Sequence, residues 1–300
     1  MQYKVILFYK FVNIKKPEKL VESQRELCVK LGLKGRMLLA NEGVNATFEG
    51  RVRDINKYKK ALRSLKINGK ELFKDIVFKE SEGNGKAFTK LEIKVRDEVV
   101  TLGKSDFNIK RETAKEITAS ELEKLYKNKK EDFVVLDLRN DFEINVGQFE
   151  NTINPNLQNF RDLPEKIGEI KKLVGPTSLK LREIKKVIAV CTGGIRCEKA
   201  TCLLKREGIK NLYQLKDGIH TYMQKYPNSH FKGSLFVFDN RMTTPVVDVN
   251  GREIVGRCIY CEKKCEDFYS NDTVRPSRKV ICCKTCIKNH SSELRSCTPN

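Results

Sequence analysis

At 300 residues the chain is about twice the commonest domain size, and its 39% hydrophobic content can give each of two or three compact units a core, which excludes a disordered chain. Charged residues make up 33%, and 59 basic against 39 acidic side chains leave a formal charge of +20, an excess that calls for a polyanionic partner. No stretch nears the roughly 18 uninterrupted apolar residues of a membrane span, and the opening MQYKVILFYK reads as a strand rather than a signal peptide, so a soluble, cytoplasmic protein with no membrane attachment is expected. Eleven cysteines in a long chain without an export signal point to metal ligation or thiol chemistry rather than to disulfides.

Residues 1–111 carry 26 basic and 14 acidic side chains, a net +12. YKVILFY (3–9) has the composition of a buried strand, and after Pro17 a helix follows with Leu20, Leu27, Cys28 and Leu31 on one face. GRMLLA (35–40), the turn Asn41-Glu42-Gly43 and VNATF (44–48) form a hairpin, and Val52, Ile55, Tyr58, Leu62 and Leu65 mark a second helix. With LEIKVR (91–96) as the last strand, the order is β-α-β-β-α-β, the ferredoxin-like arrangement. Lys57, Lys59, Lys60, Lys66, Lys70 and Lys74 lie in and just after the second helix, either as a solvated face or as contacts to nucleic acid.

From 112 to 230 the pattern changes. Ser120 and Glu123 frame a capping box for a short helix, and the apolar runs FVVLDL (133–138), VIAV (187–190) and NLYQL (211–215) alternate with helical stretches. That alternation implies an α/β domain with a parallel sheet, in which ligands sit at the carboxyl ends of strands; Cys191 is at such an end. Residues 231–300 show little periodicity, and the seven cysteines there take the place of a hydrophobic core.

The sharpest local signal is Cys191-Thr192-Gly193-Gly194-Ile195-Arg196 between a strand and a helix. Two glycines let the backbone curl so that N–H groups point at the sulfur, and the helix N-terminus and Arg196 add positive potential, which together favour a thiolate nucleophile. Cys197 either resolves an oxidised Cys191 or packs; a resolving thiol must be accessible and face the first, which favours packing. Cys202 belongs to the core face of the helix, and Asp137 with Arg139 forms a buried ion pair that fixes a strand end. In the tail, Cys258-x2-Cys261 and Cys283-x2-Cys286 are separated by 21 intervening residues, close to the two-knuckle spacing of a closed, structural tetrahedral zinc site, with Cys265 and Cys282 as alternate ligands. The three histidines share no ligand spacing, and neither a Gly-x-Gly-x-x-Gly fingerprint nor a P-loop is present.

CTGGIR resembles the active-site loop of rhodanese-type sulfurtransferases, VVLDLRNDFEINVGQFENTINPN (134–156) resembles their Asp-x-Arg strand end and the loop after it, and LKDGIHTY (215–222) their closing motif. Gln148 stands where many rhodaneses have His. The related cysteine phosphatases have five residues between Cys and Arg, against four here, so phosphatase activity is disfavoured. KGRMLLANEGVNATFEG (34–50), CTGGIRCEKA (191–200) and LFVFDNRM (235–242), followed by a cysteine-rich tail, are similar to the rhodanese-type tRNA uridine hydroxylases over almost the whole chain. That resemblance implies a ferredoxin-like (acylphosphatase-like) domain at 1–111, a rhodanese domain at 112–230 and a zinc-binding region at 231–300. It implies 5-hydroxyuridine formation at the wobble position of tRNA with molecular oxygen as co-substrate, Cys191 as the reactive sulfur, Arg196 in its anion cradle, and Thr192, Gly193, Gly194, Ile195 and Cys197 as the rest of the loop. The tRNA anticodon loop is then the partner, with Arg36, Asn41, Glu42 and Asn45 of the hairpin as candidate RNA contacts. A persulfide-carrying sulfurtransferase and a non-catalytic RNA-binding module are the alternatives.

Overall fold

The computed structural model describes residues 2–104, 106–128, 132–175, 186–247, 250–274 and 277–297, and the chain divides into two compact units, 1–105 and 106–300. In the first unit the elements are β1 (Tyr3–Phe11), α1 (Glu18–Lys30), β2 (Lys34–Ala40), β3 (Gly43–Arg51), α2 (Val52–Arg63), β4 (Phe78–Gly83) and β5 (Leu91–Val95). They form one sheet of order β4-β1-β3-β2-β5, antiparallel except for the β2–β5 pair. Strand alternation sends Ile6, Phe8, Met37, Leu39, Val44, Ala46 and Phe48 into one core with Leu20 and Cys28 of α1 and Ile55, Tyr58 and Leu62 of α2.

The four-stranded ferredoxin-like core is present, but its fourth strand is β4, not the LEIKV segment expected there. FKESEG (78–83) has Phe78 as its large apolar residue and pairs as an edge strand with β1, where Glu80 is held by Lys4 and Lys59. Those two ammonium groups overcome partial burial and hold the Glu80 carboxyl below its usual range. LEIKV, with Leu91 and Ile93 facing the core, is instead an added strand parallel to β2 at the opposite edge.

The second unit begins with α3 (Ile109–Glu112), β6 (Lys115–Ile117), α4 (Ala119–Lys127), β7 (Phe133–Asp137), α5 (Asp141–Ile144), β8 (Gly147–Phe149) and β9 (Thr152–Ile153). It continues with α6 (Leu163–Val174), β10 (Lys186–Val190), α7 (Ile195–Arg206), β11 (Leu212–Leu215) and α8 (Gly218–Lys225). The sheet β6-β11-β10-β7-β9 is parallel throughout. Helix α4 is capped two residues earlier than the sequence suggests: Thr118 and Glu121 exchange hydrogen bonds at 2.8 and 3.2 Å. Both Thr118 and Ser120 have a glutamate three residues on; β6 ends at Ile117, so the first of them starts the helix. Glu123 is buried instead, accepting from the Tyr222 hydroxyl at 2.7 Å and from Ser229.

Residues 231–300 supply β12 (Phe231–Gly233), β13 (Leu235–Phe236), β14 (Thr243–Thr244), β15 (Phe268–Asn271), β16 (Arg278–Ile281), α9 (Cys286–Asn289) and β17 (Leu294–Ser296). The tail has two cores: Cys258, Cys282 and Cys283 cluster with Leu294, as the sequence suggests, while Phe236, Met242, Phe268 and Ile281 pack on Val146, and β12 pairs with β8, so the tail is seated on the parallel-sheet domain. Among the described residues no helix is long and apolar enough to cross a membrane.

Candidate active site

Strand β10 ends at Val190 and α7 starts at Ile195, so the Cys191 loop spans the strand-to-helix gap. Gly194 has φ +99°, a conformation glycine adopts without penalty, and its N–H points at the Cys191 Sγ at 3.2 Å. The loop is locked from outside by α8, whose Ile219 and His220 N–H groups donate to the Cys191 and Thr192 carbonyls, both at 3.0 Å. Such closeness requires Gly218, since a Cβ there would lie 2.7 Å from both the Cys191 carbonyl oxygen and the Gly194 nitrogen. This is the physical content of the LKDGIH motif.

Cys191 is fully enclosed. Burial opposes a charge on its sulfur, yet the Cys197 S–H, the Arg196 charge and the N–H groups of Cys197 and Gly194 outweigh it, bringing the thiol from near 9 down to about 5. Cys197 is equally buried and also touches the Cys191 sulfur, and burial together with its charged neighbour pushes its own thiol well up. One sulfur is therefore a thiolate at neutral pH and the other its hydrogen-bond donor. Cys202 lies in the core, where burial raises it to about 12.

The guanidinium of Arg196 is committed to Glu143 of α5, with Nη1–Oε1 2.5 Å and Nη2–Oε2 2.8 Å, and Nη2 also donates to Thr192 Oγ1 at 3.1 Å. Burial works against the Arg196 charge, and the Glu143 carboxylate more than restores it. Arg196 thus acts on Cys191 through its field and by bracing the loop. The sequence contains Glu143 only as part of the strand-end motif; its pairing with a residue 53 positions away needed the fold. Asp137 and Arg139 are the expected buried pair, with Arg139 Nη2 bonded to Asp137 Oδ2 and to the Gly147 carbonyl, both at 2.7 Å.

In the first unit, Glu42 and Asn45 are occupied within the domain: the Val99 N–H donates to Glu42 Oε1 at 2.7 Å and Asn45 Nδ2 donates to the Val99 carbonyl at 2.9 Å. Both side chains pin the segment after β5 against the hairpin, whereas Arg36 and Asn41 are exposed. Lys57, Lys60, Lys66 and Lys70 are exposed as well, while Lys59 is paired with Glu80.

The tail gathers Cys258, Cys261, Cys283 and Cys286 with all four sulfurs within 4.8 Å of one another. A tetrahedral zinc thiolate site with bonds near 2.3 Å sets its sulfurs about 3.8 Å apart. Cys261 and Cys283 lie 3.7 Å apart, and the Cys286 N–H points at the Cys283 Sγ as in a metal knuckle, so the donor set fits zinc. Cys265 and Cys282 stand outside the quartet; the Cys282 thiol is buried and turned to the Cys283 carbonyl.

A thiolate enclosed at a strand end of a parallel sheet, braced by a helix-borne arginine, defines a rhodanese-fold cysteine protein. Family models agree along the chain: the UPF0176 acylphosphatase like domain matches residues 3–99, the rhodanese-like domain 118–225 and the rhodanase C-terminal model 232–300. The tRNA uridine(34) hydroxylase of Bacillus licheniformis is 36% identical over 302 residues, covering 99% of this chain and 87% of its own length. That of Bacillus cereus is 36% identical over 301 residues, with 99% and 88% covered. A solved rhodanese-related protein from Thermoplasma volcanium is 26% identical over 37% of this chain and 93% of its own, with a TM-score of 0.26. The chain belongs to the tRNA uridine(34) hydroxylase family.

Proposed function

We propose that this protein hydroxylates the wobble uridine of tRNA at C5, with molecular oxygen as co-substrate and Cys191 as the reactive group. The observation that carries the reading is the 36% identity to tRNA uridine(34) hydroxylases across 99% of the chain, joined to an intact thiolate cradle around Cys191. A wobble uridine lies in the anticodon loop, where an unpaired base is open to a protein, and a chain of +20 suits the phosphates around it. Inserting one oxygen atom into the C5–H bond sends the other to water and consumes two electrons from a reductant. Two routes are open to a thiolate there: addition to the pyrimidine ring, which activates C5, or formation of an oxidised sulfur that delivers oxygen. Four tail thiolates would hold one structural zinc ion, closing a site with no position for substrate.

The same cradle suits a terminal persulfide, which keeps sulfur transfer as the second reading; an intact nucleophile loop speaks against a merely RNA-binding module. Nucleoside mass spectrometry of tRNA from cells with and without the protein tests the first reading, and sulfur transfer from thiosulfate tests the second. Loss of 5-hydroxyuridine on deletion, restored by the wild-type chain and not by Cys191→Ser, is the expected result.

A further inference from the structure

A groove of about 1010 Å³ runs between α5 and the tail, outside the enclosed Cys191 loop. One wall is Asn140, Phe142 and Asn145 around α5 with Gln148 of β8 and Arg161 just before α6; the other is the β15–β16 sheet. Among the described residues, Arg161 and Arg278 are exposed and make no ion pair, and Arg257 Nη1 donates to the Glu262 carbonyl at 3.1 Å. The lining carboxylates are already engaged: Asp141 accepts from Gln158 Nε2 at 2.8 Å and Asp162 from the Asn159 N–H at 2.8 Å. Phe238 lines the groove with 48% of its surface exposed, resting edge-on against Phe236 at 5.1 Å.

We infer that this groove holds the unpaired RNA strand that carries the target uridine, an assignment that rests on the tRNA reading above. Cations for phosphates, an exposed ring for a base to stack on and side-chain amides for base edges are the three components that hold a single strand. The volume is at or above the upper end for small-molecule pockets, and cations without partners favour a polyanion over a neutral ligand. The groove is also placed for the chemistry. Helix α5 is a shared wall: Glu143 turns inward to Arg196 and Thr192, while its neighbours Asn140, Asp141, Phe142 and Asn145 line the groove. A strand lying there passes one short helix away from the Cys191 loop.

The test uses the full-length protein, an unmodified tRNA transcript bearing the wobble uridine, and fluorescence anisotropy over a salt series. The double variant Arg161→Glu/Arg278→Glu should weaken binding at low salt by at least about tenfold and flatten the plot of log K against log salt by about 0.7 per lost phosphate contact. Phe238→Ala should weaken binding roughly five- to a hundred-fold with the salt slope unchanged. Unaltered melting temperature and circular dichroism show that each variant is folded, and the charge variants, being exposed, cover the case in which Phe238→Ala is not. Wild-type affinity and slope in the charge variant, from a protein that still forms 5-hydroxyuridine, overturns the groove and leaves the function standing. A wild-type protein that neither binds the transcript nor modifies it removes both. Displacement of the transcript by polyglutamate at equal charge concentration, with affinity insensitive to Phe238→Ala, overturns the RNA assignment in favour of an acidic protein partner.

Discussion

Cys197→Ala removes a side chain that donates a hydrogen bond to the Cys191 sulfur, so it measures how much of the Cys191 thiolate that neighbour supports. A hydrogen bond to a charged group contributes about 1.5–3 kcal/mol, and 1.36 kcal/mol corresponds to one pH unit, so losing it should raise Cys191 by roughly one to two pH units. Starting from about 5, the thiolate population at pH 6 should fall from roughly 90% to between roughly 50% and 10%. Cys197→Ser keeps a donor of similar size and should retain most of the effect. The assay is thiolate absorbance near 240 nm against pH, taken as the difference between each variant and the same variant with Cys191→Ser added, which cancels the other cysteines. An alanine variant that titrates with the wild type would refute the hydrogen-bond account. A serine variant that follows the alanine one would show that the volume of Cys197 matters and its donor does not.

Cys191→Ser should abolish 5-hydroxyuridine formation while leaving the fold intact, because a serine hydroxyl stays protonated in the same loop; tRNA nucleoside analysis reads it. Since the Cys191 thiol is lowered on folding, its thiolate contributes stability that is full above pH 9 and lost as pH falls through about 5. The stability difference between wild type and Cys191→Ser in urea should therefore shrink from pH 9 to pH 5, and a difference that grows towards acid would contradict the sign. Glu143→Gln leaves the buried Arg196 without its counter-charge and should cost about 3–5 kcal/mol in urea unfolding, where an effect below about 1 kcal/mol would mean that the pair is not the brace described. The purified, reduced protein should carry about one zinc ion per chain, lost in Cys283→Ser and kept in Cys265→Ser, and elemental analysis decides both.

Much of the chemistry was legible because it is local. The Cys191 cradle lies within seven consecutive residues, 191–197, where a strand gives way to a helix, and the cysteine quartet is two CxxC pairs whose spacing is itself the signal. The parallel sheet was legible too, since β7 and β10 carry the continuous apolar runs FVVL and VIAV, as doubly covered strands must, and alternate with helical stretches.

Tertiary structure decided what no spacing encodes. The edge strand β4 was hidden because an edge needs only one apolar contact, Phe78, and its Glu80 is stabilised by lysines from β1 and α2. The start of α4 was ambiguous between two equivalent capping boxes until the end of β6 fixed the register. Glu42 and Asn45 read as possible RNA contacts until Val99, more than 50 residues on, took their hydrogen bonds. Glu143 reaches Arg196 across 53 residues, and Gly218 approaches the Cys191 carbonyl from another helix, so the thiolate's brace and its lock exist only once α5, α7 and α8 have packed around one strand end. The sequence by itself singled out Cys191 and the four tail cysteines that the fold brings within 4.8 Å of one another; packing determined what surrounds the Cys191 sulfur, because burial and long-range ion pairs are properties of the assembled core.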